Sequence, residues 1–179
     1  MGIQYFLIFA VVIVAFIAFI AFIAFNALLF YAARSINQVD ANIYIGGHLA
    51  ARNFKTIKKH GITRIVKLLD DNDNYRHPGV LYAVFSSLDD PCYDISADAF
   101  SALQFINEGI ENGDKILVHC RSGISRSSTV VLLYLMMSRG YALKDALTIL
   151  RNARPFIRPN FGFMQYLQSV DSVILRTCT

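Results

Sequence analysis

Cys120 and Arg126 stand six residues apart in the segment His119-Cys-Arg-Ser-Gly-Ile-Ser-Arg-Ser127. A thiol nucleophile and a guanidinium at that separation can serve one anion. If the backbone N–H groups of residues 121 to 126 curl around a point, Cys120 lies beneath it and Arg126 closes it with a bidentate grip. Arg121, Ser122, Gly123, Ile124 and Ser125 then supply the cradle, and Gly123 allows a backbone approach that a side chain would obstruct. The positive surroundings favour the thiolate form of Cys120. The chemistry implied is attack on a phosphate. A Cys and an Arg at this offset alone are weakly informative. His, Cys, Gly, Arg and a hydroxyl residue together at these offsets arise by chance about once in ten million positions.

The flanks must position that loop. Lys115 to His119 is a short apolar run of the buried-strand kind, and Ser127 to Met137 is apolar over a helical length. Strand, loop and helix in that order aim unpaired N–H groups and the helix dipole at one place, which suits a dianion.

Attack on phosphorus leaves an alkoxide or phenoxide that needs a proton from a positioned acid. Ser86 to Ile95 follows an apolar strand and precedes a helix opening near Ser96, so it reads as a loop, and it carries Asp89, Asp90 and Asp94. Asp94 suits the role of a helix-start residue that meets free N–H groups. The residues themselves leave Asp89 and Asp90 open.

The loop resembles the signature of cysteine-dependent phosphatases, and Gly123-Ile-Ser-Arg-Ser127 is similar to that of dual-specificity protein phosphatases. Asn42 to Gly47 looks like that family's opening strand and Gly61 to Val66 like its second. Arg154-Pro155 with Pro159 to Met164 looks like its closing helix. The resemblance covers about residues 37 to 175; Tyr166 departs from it, standing where the family commonly has Gln before Leu167. In similar phosphatases the acid stands six residues before the apolar residue that opens the next helix. That residue is Ile95 here, so the resemblance selects Asp89, with Asp90 the runner-up. It also implies a phosphocysteine intermediate, with Asp89 as base in the second step and Ser127 helping sulfur to leave. His119 is expected to orient the loop. The expected catalytic set is Cys120, Arg126, Asp89 and Ser127, with no metal and no cofactor.

Two segments precede the catalytic stretch. Residues 3–33 carry no charge and only Gln4 and Asn26 as strongly polar interruptions, so they are expected to form a single transmembrane anchor. A cleaved secretory signal fits less well. The apolar region is too long for one, and both the basic start and an Ala-x-Ala site are missing. The Ala-Phe-Ile triplets at 15, 18 and 21 drift around a helix of 3.6 residues per turn and form no small-residue seam, and Asn26 is read as an interface residue. Residues 34–40 read as a polar linker and 41–175 as one dual-specificity phosphatase-like catalytic domain. Alternating strands and helices there give an α/β class: a central, mostly parallel sheet flanked by helices.

The net charge of +4 lies entirely outside the apolar segment. Arg34, Arg52, Lys55, Lys58 and Lys59 follow the span and none precedes it, which places the domain in the cytosol by the positive-inside tendency. A reducing compartment also suits a thiolate and three cysteines without paired spacing. Cys92 could join Cys120 in a protective disulfide, although an ordinary loop cysteine is the plainer reading; Cys178 carries no lipidation signal. There is no Asn-x-Ser/Thr acceptor. The basic excess suits an anionic leaflet or phosphorylated partners and is too diffuse for nucleic acid. Asp70 to Asn74 lacks the Gly and distal Glu of a calcium loop. His48, His60 and His77 read as surface residues.

Three functions stay open. The first is a protein phosphatase acting on phosphotyrosine and on phosphoserine or phosphothreonine. The second is a phosphatase of phosphoinositides or another non-protein phosphomonoester. The third is a phosphate-binding module without turnover.

Overall fold

The computed structural model describes residues 2–69 and 75–177. The acidic run at 70–74 and Cys178 lie outside the described residues. The chain divides after Tyr31 into two compact units. The first lies within α1 (Gly2–Arg34), an uninterrupted helix in which Val12–Arg34 is long and apolar enough to cross a membrane, by length and composition alone. Asn26 donates one amide N–H to Phe22 O one turn back, within the helix itself, at 2.8 Å.

The second unit holds a five-stranded sheet in the order β1-β2-β5-β3-β4: β1 (Ile36–Gln38), β2 (Ile43–Gly47), β3 (Arg64–Leu68), β4 (Leu81–Phe85) and β5 (Ile116–Cys120). The last four run parallel, and β1 adds antiparallel to β2 at one edge. β1 falls within the stretch read as a linker, so those residues extend the sheet. β2, β3 and β5 are buried along their whole length, as expected of parallel strands covered on both faces.

Four helices cover one face: α4 (Ser96–Glu111), α5 (Arg126–Met137), α6 (Leu143–Ala153) and α7 (Phe161–Thr177). Their core includes Ile45, Val66, Val118, Leu132, Phe163 and Leu167. The other face is covered by α2 (His48–Ala51) and α3 (Phe54–His60), which bury Ala51 and Ile57 against Tyr44, Ile65 and Leu117. Asn53 caps α3 by accepting Thr56 N, and Gly61 ends it in the left-handed region at φ 66°. Arg154 to Asn160, read as part of a closing helix, forms the connection before α7.

Central β5 ends at Cys120, paired in register with Gly47. Ligands of parallel α/β sheets bind beyond the carboxyl ends of the strands, and the signature loop occupies that place.

Candidate active site

The signature loop turns from the end of β5 directly into α5, and its carbonyls all find donors behind it. Arg121 O accepts the His48 backbone N–H at 3.0 Å and lies 2.8 Å from the His48 ring Nδ1. Ser122 O accepts Arg154 Nη2 at 2.8 Å and Gly123 O accepts Arg154 Nε at 2.7 Å. Ile124 O takes the Arg158 N–H and the Ser128 hydroxyl, both at 2.8 Å. Ser125 O takes Thr129 N and Thr129 Oγ1 at 3.0 Å. A trans peptide points its C=O and N–H in opposite directions, so tying each carbonyl outward turns the following N–H toward the loop's interior. Gly123 N–H accordingly donates to Cys120 Sγ at 3.3 Å.

Gly123 has φ +67°, and a Cβ there would stand 2.6 Å from Gly46 O and 2.7 Å from Arg154 Nη2. Backbone conformation and space both demand glycine at this position.

Cys120 is buried, with Sγ 3.2 Å from Ser127 Oγ. Ser127 lies in the first turn of α5, so its hydroxyl and the helix dipole meet the sulfur from the same side. Arg126, 4% exposed, donates Nη1 to Ser87 O at 2.8 Å, which fixes its guanidinium across the loop. His119 is buried, its Nδ1 3.4 Å from Cys120 O.

The three aspartates of the upstream loop separate clearly. Asp89 accepts the Ser125 hydroxyl at 2.6 Å and the Asn160 side-chain amide at 3.1 Å, both on Oδ1, while Oδ2 lies 3.6 Å from Arg126 Nε. Asp90 turns away and accepts its neighbour Cys92 N–H at 2.7 Å. Asp94 accepts Ser96 N–H at 2.9 Å at the start of α4, and hydrogen bonds from Ser96 hold its carboxyl below the usual range. Both donors meet Asp89 Oδ1, while Oδ2 faces Arg126 in the loop that follows Cys120. Behind this loop Asp98 accepts Ser87 Oγ at 2.6 Å and Tyr93 OH at 2.7 Å. The bond to Asp98 raises the Tyr93 phenol above its ordinary value. This loop is therefore pinned on both sides of Asp89.

The structure thus brings together Cys120, Arg126, Asp89 and Ser127, with Arg121 to Ser125 forming the cradle. Three participants were not read from the sequence. Arg154 and Asn160 were noted only as marks of a closing helix, and His48 only as a surface residue. Arg154-Pro155 and Pro159-Asn160 were the available signal, since the prolines mark a connection and binding and catalytic residues fall disproportionately on loops. His77 corrects the surface reading of the histidines. It is 3% exposed, with Nε2 2.6 Å from Ala51 O, stacked on Phe54 and beside Tyr75 OH, so it packs β4's approach against α2 and α3. Cys92 is exposed, and both it and Cys120 are free thiols.

Comparison with known proteins agrees with this geometry. The family model described as the catalytic domain of dual specificity phosphatases matches residues 43–172. Dual specificity protein phosphatase PHS1 of Arabidopsis thaliana is 39% identical over 139 residues, covering 75% of this chain and 15% of that much longer protein. Human DUSP28 superposes with a TM-score of 0.74 at 28% identity, covering 78% of this chain and 95% of that one. A human tyrosine phosphatase-like serine/threonine/tyrosine-interacting protein superposes at 0.72 with 30% identity, covering 79% and 99%.

Proposed function

The chain belongs to the dual specificity phosphatase family, and from that premise we propose that it is a membrane-anchored protein phosphatase that hydrolyses phosphotyrosine, phosphoserine and phosphothreonine. The observation that carries this reading is the convergence of Cys120 Sγ, Ser127 Oγ and the loop amides on one side with Asp89 on the other.

In the first step Cys120 Sγ attacks phosphorus as the thiolate. Arg126 and the inward N–H groups hold the three equatorial oxygens where charge accumulates. The bond to the leaving oxygen breaks as Asp89 gives that oxygen its proton, so an alcohol or phenol departs and phosphocysteine remains. In the second step Asp89, now a carboxylate, takes a proton from water as that water attacks phosphorus. Sulfur leaves as thiolate, steadied by the Ser127 hydroxyl, and inorganic phosphate is released. The balance is one phosphomonoester and one water giving one alcohol and one phosphate.

A phosphate-binding module needs neither a nucleophile nor an acid. Here Cys120 and Asp89 are both present and both aimed at the loop, which supports turnover. The apolar helix at residues 3–33, ahead of the catalytic domain at 41–175, supports anchoring in a bilayer. The basic residues that follow it support a cytosolic domain.

The test compares the full chain in detergent with its Cys120→Ser variant on an aryl phosphate, on phosphopeptides and on phosphoinositides. The natural chain is expected to hydrolyse the aryl phosphate and the phosphopeptides, and Cys120→Ser is expected to abolish both. Hydrolysis of phosphoinositides alone would move the assignment to a lipid phosphatase. Binding of phosphate without hydrolysis would move it to a recognition module.

A further inference from the structure

We propose that residues Ala32–Asn37, where the apolar helix ends, are part of the support of the phosphate loop, joined to it through the buried guanidinium of Arg154. The inference rests on the phosphatase reading above and adds a function for the residues between the apolar segment and the catalytic sheet.

Arg154 is fully buried, and its guanidinium hydrogen bonds divide into two sets. Two go to the carbonyls of Ser122 and Gly123 in the loop. The other three go to the chain's approach to the sheet: Nη2 to Ala32 O at 2.7 Å, Nη1 to Ser35 Oγ at 3.0 Å, and Nη1 to Asn37 Oδ1. Its planar face covers the Phe156 ring at 4.5 Å. A guanidinium is rigid and flat, so acceptors on one side fix the direction of the donors on the other. A buried arginine also depends on paired acceptors, because an uncompensated charge there is costly.

The approach segment is packed as tightly as the loop. Ala32 and Ala33 are 0% and 7% exposed, and Gly47, which pairs with Cys120, has no room for a Cβ against Ala33. Ser35 O accepts the Gly47 N–H at 3.2 Å, and Asn37 pairs with Ile45. The last turn of α1 and strand β1 are thus continuous with the end of the strand that flanks the nucleophile. Loss of the Ser35 and Asn37 acceptors lets the guanidinium swing, releases the Ser122 and Gly123 carbonyls, and frees the N–H of Gly123 to turn from Cys120 Sγ. Ser35, Asn37 and Arg154 are positioning residues in this scheme; none touches the substrate.

The test uses the full chain in detergent with two pairs of substitutions. Ser35→Ala with Asn37→Ala removes the acceptors, while Ser35→Thr with Asn37→Asp keeps the hydroxyl and puts a carboxylate oxygen, still an acceptor, where the amide oxygen of Asn37 stands. Two readouts are followed: kcat and KM on an aryl phosphate, and the pH dependence of iodoacetamide alkylation on the Cys120 peptide. The alanine pair is expected to lower kcat about tenfold with a smaller change in KM, as a misplaced catalytic frame does. It is also expected to move Cys120 alkylation to higher pH, and the conservative pair is expected to recover both. Arg154→Lys is expected to reproduce the loss, and adding the alanine pair to it is expected to cost little more. Unchanged kcat and alkylation in the alanine pair would overturn the proposal. So would equal losses in both pairs, or losses that add fully to that of Arg154→Lys. A natural chain that hydrolyses no phosphomonoester overturns the phosphatase reading instead, and the alkylation arm still reports on the support of the loop.

Discussion

Ser125 donates its hydroxyl to Asp89 Oδ1 at 2.6 Å, so the residue just before the loop's arginine holds the carboxyl group of a different loop. Ser125 is also the N-cap of α5, yet its side chain caps no helix N–H. The first turn therefore keeps its N–H groups for an anion, and the hydroxyl a capping residue would use is turned to Asp89. Asp89→Asn is expected to lower kcat on an aryl phosphate by about a hundredfold or more and to flatten the limb of the pH profile that reports the acid. Ser125→Ala leaves Asp89 its Asn160 bond and is expected to cost about tenfold, well short of the loss of the acid itself. Asp90→Asn, whose carboxylate serves only a turn, is expected to stay within about twofold. A large loss in Asp90→Asn with an active Asp89→Asn would reassign the acid.

Cys120 Sγ and Ser127 Oγ lie 3.2 Å apart, so the two steps of the proposed reaction can be tested separately. In that scheme Ser127→Ala removes the hydroxyl that steadies sulfur as it leaves but spares the attack on phosphorus. Rapid mixing with a good aryl leaving group is expected to show a burst of phenol close to one equivalent, followed by slow turnover, and quenched samples should carry a phosphorylated Cys120 peptide. A slowed burst in Ser127→Ala would assign the hydroxyl to attack instead.

The strands themselves and the place of Cys120 between a strand and a helix follow from local signals. Val118, Val66 and Ile45 lie in short apolar runs, and Ser127 to Met137 is apolar over a helical length, so strand, loop and helix were readable. What was not readable depends on contacts distant in sequence. Arg154 meets Ala32 O across more than a hundred residues, and nothing periodic around either marks the pair. Asp89 and Asp90 are chemically alike on the chain, where the resemblance alone favours Asp89; the bonds from Ser125 and Asn160 that set the Asp89 carboxylate apart form only on folding. β1 escaped notice because three residues with a polar centre carry too little pattern to distinguish an edge strand from a linker.

Gly162 offers a way to move the acid loop without touching the nucleophile. A Cβ at Gly162, in the first turn of α7, would collide with Pro91 O two residues past Asp89. Gly162→Ala must push that loop outward, and the Asp89 bond to Asn160 at the same helix start goes with it. kcat on an aryl phosphate is expected to fall at least about tenfold, with the Cys120 alkylation profile unchanged. Gly123→Ala, which crowds Gly46 O and Arg154, is expected to alter both readouts. Equal effects of the two variants on alkylation would show that the acid loop and the phosphate loop do not move independently.

Asp114 tests stability at the other end of the sheet from the active site. It accepts Thr63 Oγ1 at 2.8 Å and Arg64 Nε at 2.6 Å, at the start of β3, whereas Cys120 ends β5. The Thr63 hydrogen bond, and then Arg64, hold its carboxyl below the usual value of 3.8 against the opposing effect of burial. With the folded value lower, the unfolded chain takes up the proton first as pH falls. Stability from this group is therefore complete above pH 3.8 and is lost as pH falls through the folded value. Asp114→Asn keeps an acceptor and removes the charge that faces buried Arg64. Breaking such a pair costs on the order of 3 kcal/mol when both partners are deeply buried, and Asp114 is partly open, so a smaller loss at neutral pH is expected. Urea unfolding from pH 7 to pH 2.5 is expected to show the natural chain and Asp114→Asn converging at the acid end. Curves that stay parallel throughout would mean that the pair owes its effect to packing, not to charge. The kcat of Asp114→Asn is expected to stay within about twofold of the natural chain, because the pair lies a full strand length from Cys120.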